Sequence, residues 1–222
     1  MSTDALYPFL TSERRSSVDE LIDHVRQSTA DKAAEITALR RMVLARDGAR
    51  LAECARVMAD QFAAGGRLLA YGNGGSSTDA QDLAGLFLHS GDRRALPAIA
   101  LTNDIAVVTA LTNDVGFDVV FARQIGAFGR SGDIAVGIST SGNSPNLLAG
   151  FAEARRRGLL TVGLAGDEGG RMAEASTIDY LFVVPSPSVH RVQEAQTTIY
   201  HVLWELTVTA LERGSRVPGH SG

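Results

Sequence analysis

The sequence predicts an α/β fold in which a parallel sheet is covered by helices and is preceded by a helical extension. Five short apolar segments between Leu68 and Val184 are typical of buried strands, because the strands of parallel sheets are near-continuous apolar runs. Segments with helical spacing separate these five runs. Strands that alternate with helices indicate a parallel sheet, so the two observations support one architecture.

The extension comes first in the chain. From Ser17 to about Ala64, apolar residues such as Leu21, Val25 and Leu39 recur at three- and four-residue spacing, which predicts helix. The pair Asp47-Gly48 is expected to separate two helices, since Gly favours a turn. Residues 1–16 have a mixed composition, and we expect them to be partly ordered.

The sheet domain follows from Arg67 onward. The predicted strands are Leu68–Tyr71, Leu96–Leu101, Ile134–Ser139, Leu160–Ala165 and Ile178–Val184. Helices are expected near residues 77–89, 104–112, 118–128, 145–157 and 168–175, with a last long helix over about Val189–Arg213. We therefore predict a helical extension over residues 1–64 that serves oligomerisation, one sheet domain over 65–213 and a flexible tail over 214–222.

Composition excludes several classes of protein. The 222 residues suffice for one α/β domain with an extension, and 45% hydrophobic with 21% charged residues is ordinary for a soluble globular protein. A formal charge of −4, from 21 Lys and Arg against 25 Asp and Glu, argues against a nucleic-acid surface. Cys54 is the only cysteine, so the sequence has neither an intramolecular disulfide nor a cysteine-based zinc cluster.

The N-terminus, MSTDALYPFL, lacks the cationic region before an apolar core that marks a secretory signal. No apolar run approaches the ~20 residues that span a bilayer. We therefore expect a cytoplasmic protein with no membrane partner.

A serine-rich loop carries the clearest chemical signal. The apolar run Ile134–Ile138 is followed by Ser139-Thr140-Ser141-Gly142-Asn143-Ser144, the serine loop, and Pro145 then begins a helical segment. Ser144 before Pro145 fits an N-cap with proline at the first helical position. Hydroxyls and backbone N–H groups thus converge at a helix N-terminus, where an anion is favoured. The loop contains no lysine, so we expect it to hold phosphate by hydrogen bonds.

A second loop, Gly72–Ser77, follows the first strand and opens a helix. Its glycines let the backbone approach a ligand closely, and we call it the glycine loop. It is not a Walker A loop, because no Gly-Lys-Ser/Thr follows. It is also a poor dinucleotide-binding fingerprint, because Ser77 stands where that motif has its third glycine. We therefore expect no nucleotide cofactor. Both loops belong at the carboxyl ends of parallel strands, where ligands bind.

These motifs in this order resemble the SIS (sugar isomerase) domain, and specifically the bacterial phosphoheptose isomerase family. The matching segments are GNGGS at Gly72–Ser76, DAQ at Asp79–Gln81, LPAIAL at Leu96–Leu101, NDVGFDVVFARQ at Asn113–Gln124, GDIAVGISTSGNSPN at Gly132–Asn146, RVQE at Arg191–Glu194 and finally His201. The resemblance implies a flavodoxin-like five-stranded sheet and a homotetramer whose N-terminal helices help to build the interface. A replication-initiator-associating protein of the same family keeps the fold without serving as an isomerase.

The resemblance also implies roles for individual residues. The expected contacts to the sugar phosphate are Asn73, Gly74 and Gly75, with Asn113 and Asp114 on sugar hydroxyls. The expected phosphate ligands are Ser139, Thr140, Ser141 and Ser144. Gln193 and His201 match two residues that bind zinc or substrate in the isomerases.

One helix departs from the family pattern. After DAQ the isomerases carry a His and, four residues on, a Glu that is a zinc ligand and the proposed base; this chain has Asp82 and Leu86. Asp82, Gln193 and His201 remain candidate zinc ligands, with His190 one turn from Gln193, although no carboxylate replaces Leu86. The alternative interpretations are that Asp82 is a solvated or capping carboxylate, that Leu86 belongs to the core or an interface, and that His201 is a packed helical histidine.

Three functions follow from these residues. The first is a sugar-phosphate-binding protein with little isomerase chemistry, which acts as a sensor or adaptor. The second is an aldose–ketose isomerase of sedoheptulose 7-phosphate or a related long-chain ketose phosphate, in which His201, helped by Asp82 or His190, moves the proton. The third, a dinucleotide-binding oxidoreductase, is disfavoured by the incomplete glycine fingerprint.

Overall fold

The structure is a computed structural model that describes residues 18–89, 91 and 93–214. The predictions for residues 1–16 and for the tail after Gly214 therefore lie outside the described residues. The chain divides into two compact units at the boundary between Ala38 and Leu39.

The described part of the first unit, residues 18–38, is the beginning of a long helix, α1, which spans Val18–Ala63. Val18, Leu21, Ile22 and Val25 are exposed apolar residues within it. Their spacing of three and four residues places them on one helical face, so this unit presents an apolar stripe.

The predicted break at Asp47-Gly48 is wrong, because α1 is continuous through both residues. Asp47 is buried on the same face as Val43 and Leu51, and its carboxylate accepts hydrogen bonds from Arg46 at 2.6 and 3.0 Å. Arg46 also donates to the carbonyl of Val183. These tertiary contacts outweigh the helix penalty of one glycine, which is only ~1 kcal/mol.

The second unit contains the predicted five-stranded parallel sheet. Its strands are β1 Leu68–Gly72, β2 Ala98–Ala100, β3 Ile134–Ile138, β4 Leu160–Gly166 and β5 Tyr180–Val184, in the order β2-β1-β3-β4-β5. Between and after them lie α2 Gly75–Leu88, α3 Ile105–Asp114, a 3₁₀ turn at Phe117–Val119, α4 Val120–Phe128, α5 Pro145–Arg156, α6 Gly170–Glu174 and α7 Val189–Gly214. The α/β prediction is confirmed, with β2 shorter than expected and α7 one residue longer.

Both faces of the central strands are buried. On β1, Leu69 and Tyr71 join a core cluster with residues of α4 and α5, and the Tyr71 ring centroid lies 5.1 Å from that of Phe121 and 5.4 Å from that of Phe151. Leu68 and Ala70 point to the opposite face and are equally buried. This double burial explains why the strands are continuous apolar runs.

The strand order creates the crevice that the site needs. β1 pairs with β2 on one side and with β3 on the other, so the connections after β1 and after β3 leave in opposite directions. Ligands on such sheets bind outside the carboxyl ends of the strands at this reversal. None of the helices in the described part of the chain combines the length and the apolar character that a membrane span requires.

Candidate functional site

The two predicted loops leave the sheet side by side. Gly72 of β1 is in register with Ile138 of β3, so the glycine loop and the serine loop begin at neighbouring positions of the sheet. Helix α2 starts at Gly75 and α5 at Pro145. Two helix N-termini, each with free N–H groups and a positive dipole end, therefore face the same crevice.

A pair of asparagines connects the loops. The side-chain amides of Asn73 and Asn146 exchange two hydrogen bonds, both 2.9 Å long, and Asn146 Oδ1 also accepts from the backbone N–H of Leu147 at 3.0 Å. Asn146 is 1% exposed, so this pair is fixed within the structure. The sequence had Asn146 in the serine-rich motif, but only the structure shows it as the link between the loops.

A cavity of about 70 Å³ lies between the loops. Its wall consists of Asn73, Ser76, Ile138, Ser139, Thr140, Ser141 and Ser144. This volume is about that of two molecules in liquid water, so the cavity can hold a small anion but not a whole sugar. A ligand whose anionic group enters here must therefore extend outward. A larger cavity, of about 420 Å³, lies beside the end of α7, but its wall contains none of the predicted site residues.

The hydroxyl of Ser144 is available to a ligand. Ser144 occupies the N-cap position of α5 and Pro145 follows it, as predicted, but its side chain makes no capping hydrogen bond. By contrast, Ser139 Oγ accepts from the N–H of Gly142 at 3.0 Å and shapes the loop.

The glycine loop also touches the last helix. A Cβ atom at Gly75 would lie 2.2 Å from Nε2 of Gln193, so the amide of Gln193 packs directly on the Gly75 backbone. The structure thus brings Gln193 to the glycine loop. Ser77 Oγ donates a 2.6 Å hydrogen bond to Thr102 Oγ1, which ties the same loop to the segment that follows β2.

Asp82 and His201 lie together, as the resemblance implies. Asp82 Oδ2 is 3.5 Å from His201 Nε2, and it accepts a 2.8 Å hydrogen bond from the hydroxyl of Tyr200. The side chains of Asp82 and His201 are 53% and 44% exposed, so a ligand can reach both. Asp82 is in the third turn of α2 and does not cap the helix, which excludes the capping interpretation.

Tyr200 is a residue that sequence reasoning missed. Its ring stacks on that of His201 with 5.2 Å between centroids. Burial, and beyond it the charge of Asp82, raises the pKa of Tyr200, so the phenol stays protonated and donates to the carboxylate. No sequence signal singles it out, because it stands among apolar residues on one helical face.

A second carboxyl group is close to Asp82. Asp79 Oδ2 is buried and has no hydrogen-bond partner within the residues described. Burial, followed by the charge of Asp82, raises the pKa of Asp79 from 3.8 to about 6. Perturbed carboxyl groups of this kind concentrate at functional sites.

The donor set does not fit zinc. Zinc sites use three or four protein ligands, usually His, Cys or carboxylate. Across residues 18–89, 91 and 93–214, no three His, Cys, Asp or Glu side chains are grouped so as to hold a metal ion. Leu86, half-buried one turn after Asp82, offers no donor, and His190 is exposed at the start of α7.

Asn113 and Asp114 are placed differently from the other predicted residues. Both lie at the end of α3, where the Asn113 amide donates to Asp114 Oδ1 at 2.8 Å. Both are exposed, and α3 buries none of its residues. The hydrogen bonds that the described residues form do not join them to either loop.

Comparisons with known proteins agree with this geometry. Residues 33–166 match the family model of the SIS domain. The phosphoheptose isomerase of Desulfovibrio desulfuricans is 46% identical over 191 residues, which is 85% of this chain and 88% of that protein.

Solved structures give the same result. The phosphoheptose isomerase GmhA of Neisseria gonorrhoeae superposes with a TM-score of 0.77 and is 34% identical, with 83% of this chain and 99% of that chain covered. A phosphoheptose isomerase of Francisella tularensis gives a TM-score of 0.72 and 31% identity, with 87% and 99% covered. The sheet, the two loops and these matches together show that the chain belongs to the phosphoheptose isomerase family of SIS-domain proteins.

Proposed function

We propose that the protein binds a sugar phosphate, with the phosphate in the cavity between the serine loop and the glycine loop. The observation that carries this proposal is the cavity itself, which is walled by hydroxyls and lies at two helix N-termini. Such an environment favours an anion without any cationic side chain. The names of the similar proteins, which are phosphoheptose isomerases, support a phosphorylated sugar as the ligand.

The Ser141→Ala, Ser144→Ala double variant tests this assignment. Hydrogen bonds to a charged group contribute about 1.5–3 kcal/mol each, so we expect the affinity for sedoheptulose 7-phosphate to fall at least tenfold in calorimetry. Ser131→Ala is the matched control, because Ser131 is exposed and precedes β3 at the other end of the strand. An unchanged affinity of the double variant would refute the loop assignment.

A second candidate function is aldose–ketose isomerisation, which the Asp82–His201 pair favours. In a 1,2-shift the imidazole of His201 takes the proton from one carbon of the sugar, and an enediolate forms. The imidazolium then returns the proton to the neighbouring carbon, while a hydroxyl proton passes between the two oxygens. Asp82, held by Tyr200, stabilises the charged imidazolium.

Zinc has no part in this proposal. Asp82 and His201 supply two donors, and the described residues contain no group of three His, Cys, Asp or Glu side chains that could hold a metal ion. Gln193 is the remaining candidate and is a poor zinc ligand. Asp82 and His201 alone therefore serve the carbon-bound proton transfers in this proposal.

Turnover of sedoheptulose 7-phosphate in the presence of a chelator separates the two functions. Asp82→Asn and His201→Asn should each lower kcat by ~10²–10⁴, because each removes part of a positioned acid–base pair. His190→Asn is the control, since His190 is exposed on the same helix. A wild-type protein that binds sedoheptulose 7-phosphate but does not turn it over, either with the chelator or with added zinc, would exclude isomerisation of this sugar and favour the sensor or adaptor role.

We also propose a homotetramer in which α1 contributes to the interface. The exposed apolar residues near the start of α1 support this assembly, since such stripes usually pack against another chain. Light scattering should give the mass of four chains, and the mass of one chain would overturn the proposal.

A further inference from the structure

Gln196 of α7 makes a hydrogen bond that the proposed function does not use. Its side chain is 0% exposed, and Nε2 donates to the backbone carbonyl of Ser139 at 2.8 Å. Ser139 is the first residue of the serine loop. A helix 57 residues further along the chain therefore holds the loop where it leaves the sheet.

The carbonyl of Ser139 needs this donor. The N–H of Ser139 still belongs to the sheet and donates to the carbonyl of Leu164 at 2.9 Å. The paired register of β3 with β4 ends at Ile138, and the loop then closes through the bond from the Gly142 N–H to Ser139 Oγ. A buried carbonyl at such a point requires a partner from outside the sheet, and Gln196 supplies it.

The amide of Gln196 makes its hydrogen bond through one end alone. Its Oε1 atom is buried and has no hydrogen-bond partner in the described part of the chain. A buried acceptor without a partner is unfavourable, but an apolar side chain of the same length would leave the Ser139 carbonyl without its donor. The bond from Nε2 to Ser139 is therefore the polar contact that distinguishes this amide from an apolar side chain.

Helix α7 links Gln196 to the rest of the site. Gln193, one turn earlier, packs on Gly75 of the glycine loop, and His201 lies on the following turns beside Asp82. On its other side the serine loop is fixed by Met172, whose N–H donates to the carbonyl of Gly142 at 3.0 Å. The serine loop is therefore held between α6 and α7.

We propose that Gln196 is a positioning residue for the phosphate group: it fixes Ser139 and thereby the hydroxyls and N–H groups of the serine loop. It also sets the distance between that loop and the side chains of Gln193 and His201. The identity of the ligand rests on the proposed function, whereas the order that Gln196 imposes on the loop does not.

The Gln196→Met variant tests the proposal, because methionine keeps the length of the side chain and removes the N–H donor. We expect at least tenfold weaker binding of sedoheptulose 7-phosphate and of inorganic phosphate in calorimetry. Hydrogen exchange of the amides in residues 139–144 should become at least tenfold faster. Gln196→Asn, which keeps an amide too short to reach Ser139, should show the same two losses.

Thr207→Val is the matched control, since Thr207 is also 0% exposed on α7 and bonds only within the helix and to Met58. It should lower Tm without changing ligand affinity or exchange in the serine loop. If the Gln196 variants keep both wild-type affinity and wild-type exchange, the proposal is wrong. If the wild-type protein binds no sugar phosphate, the proposed function fails, and the exchange rates alone decide the role of Gln196.

Discussion

Asp82 joins helix α2 to two residues of α7. The hydroxyl of Tyr200 and the imidazole of His201 both approach the same carboxylate oxygen. The resemblance predicted that Asp82 and His201 belong together. It did not predict Tyr200, because the contact joins positions 118 residues apart and depends on how α2 packs on α7.

Asp79, a neighbour of Asp82, makes the stability of the folded protein depend on pH. Its pKa of about 6 in the folded protein lies above its ordinary value of 3.8, chiefly because of burial. As pH rises between these two values, the unfolded chain releases the proton while the folded protein retains it. The free energy of unfolding therefore falls as pH rises through this window. Above pH ~6 the loss of stability is complete.

We predict that Asp79→Asn becomes progressively more stable than the wild type between pH ~4 and pH ~6, the window set by the pKa values of Asp79 in the unfolded and folded protein. The gain should be about 1 kcal/mol, because Asp79 is only half-buried and solvent screens part of the shift. Urea unfolding at the two pH values measures it. A stability difference that does not change with pH would show that Asp79 is not the group responsible.

Among the elements, α1 shows where local sequence signals fail. Asp47-Gly48 is a good turn signal, yet Arg46, Asp47 and Leu51 make contacts that hold the helix through it. Those contacts reach the distant strand β5, so no local pattern reveals them. The strands and the two loops were predictable because apolar runs, glycines and the Ser-Pro start of a helix are all local signals.

Gly48→Ala should stabilise the protein by about 0.5–1 kcal/mol, because alanine is the better helix former. The added Cβ would lie 3.4 Å from Leu44 Cδ1, which is ordinary contact with a flexible side chain. Thermal unfolding measures the gain. A lower Tm would mean that the backbone at Gly48 needs a conformation that alanine resists.

At the scale of the whole molecule, topology explains why residues from distant segments form one site. The reversal of strand order between β1 and β3, which are parallel neighbours, places the glycine and serine loops together, and α7 contacts both of them. The sequence predicted the fold class and the loops. It could not predict the Asn73–Asn146 pair or the Gln196 contact, because neither amide side chain carries a local signal for its partner.

Asn113 and Asp114 are the predicted contacts to sugar hydroxyls that no hydrogen bond of the described residues joins to the serine loop or the glycine loop. They are exposed on a helix with no buried residue, and their hydrogen bond joins them to each other. Their expected role on sugar hydroxyls stays a prediction.

A crystal structure with sedoheptulose 7-phosphate tests the proposed phosphate site most directly. We predict phosphate density in the cavity between the serine and glycine loops, within hydrogen-bond distance of Ser141 and Ser144. The carbonyl end of the sugar should then extend toward Asp82 and His201. Phosphate density anywhere else on the protein, with this cavity occupied only by water, would contradict the proposed site.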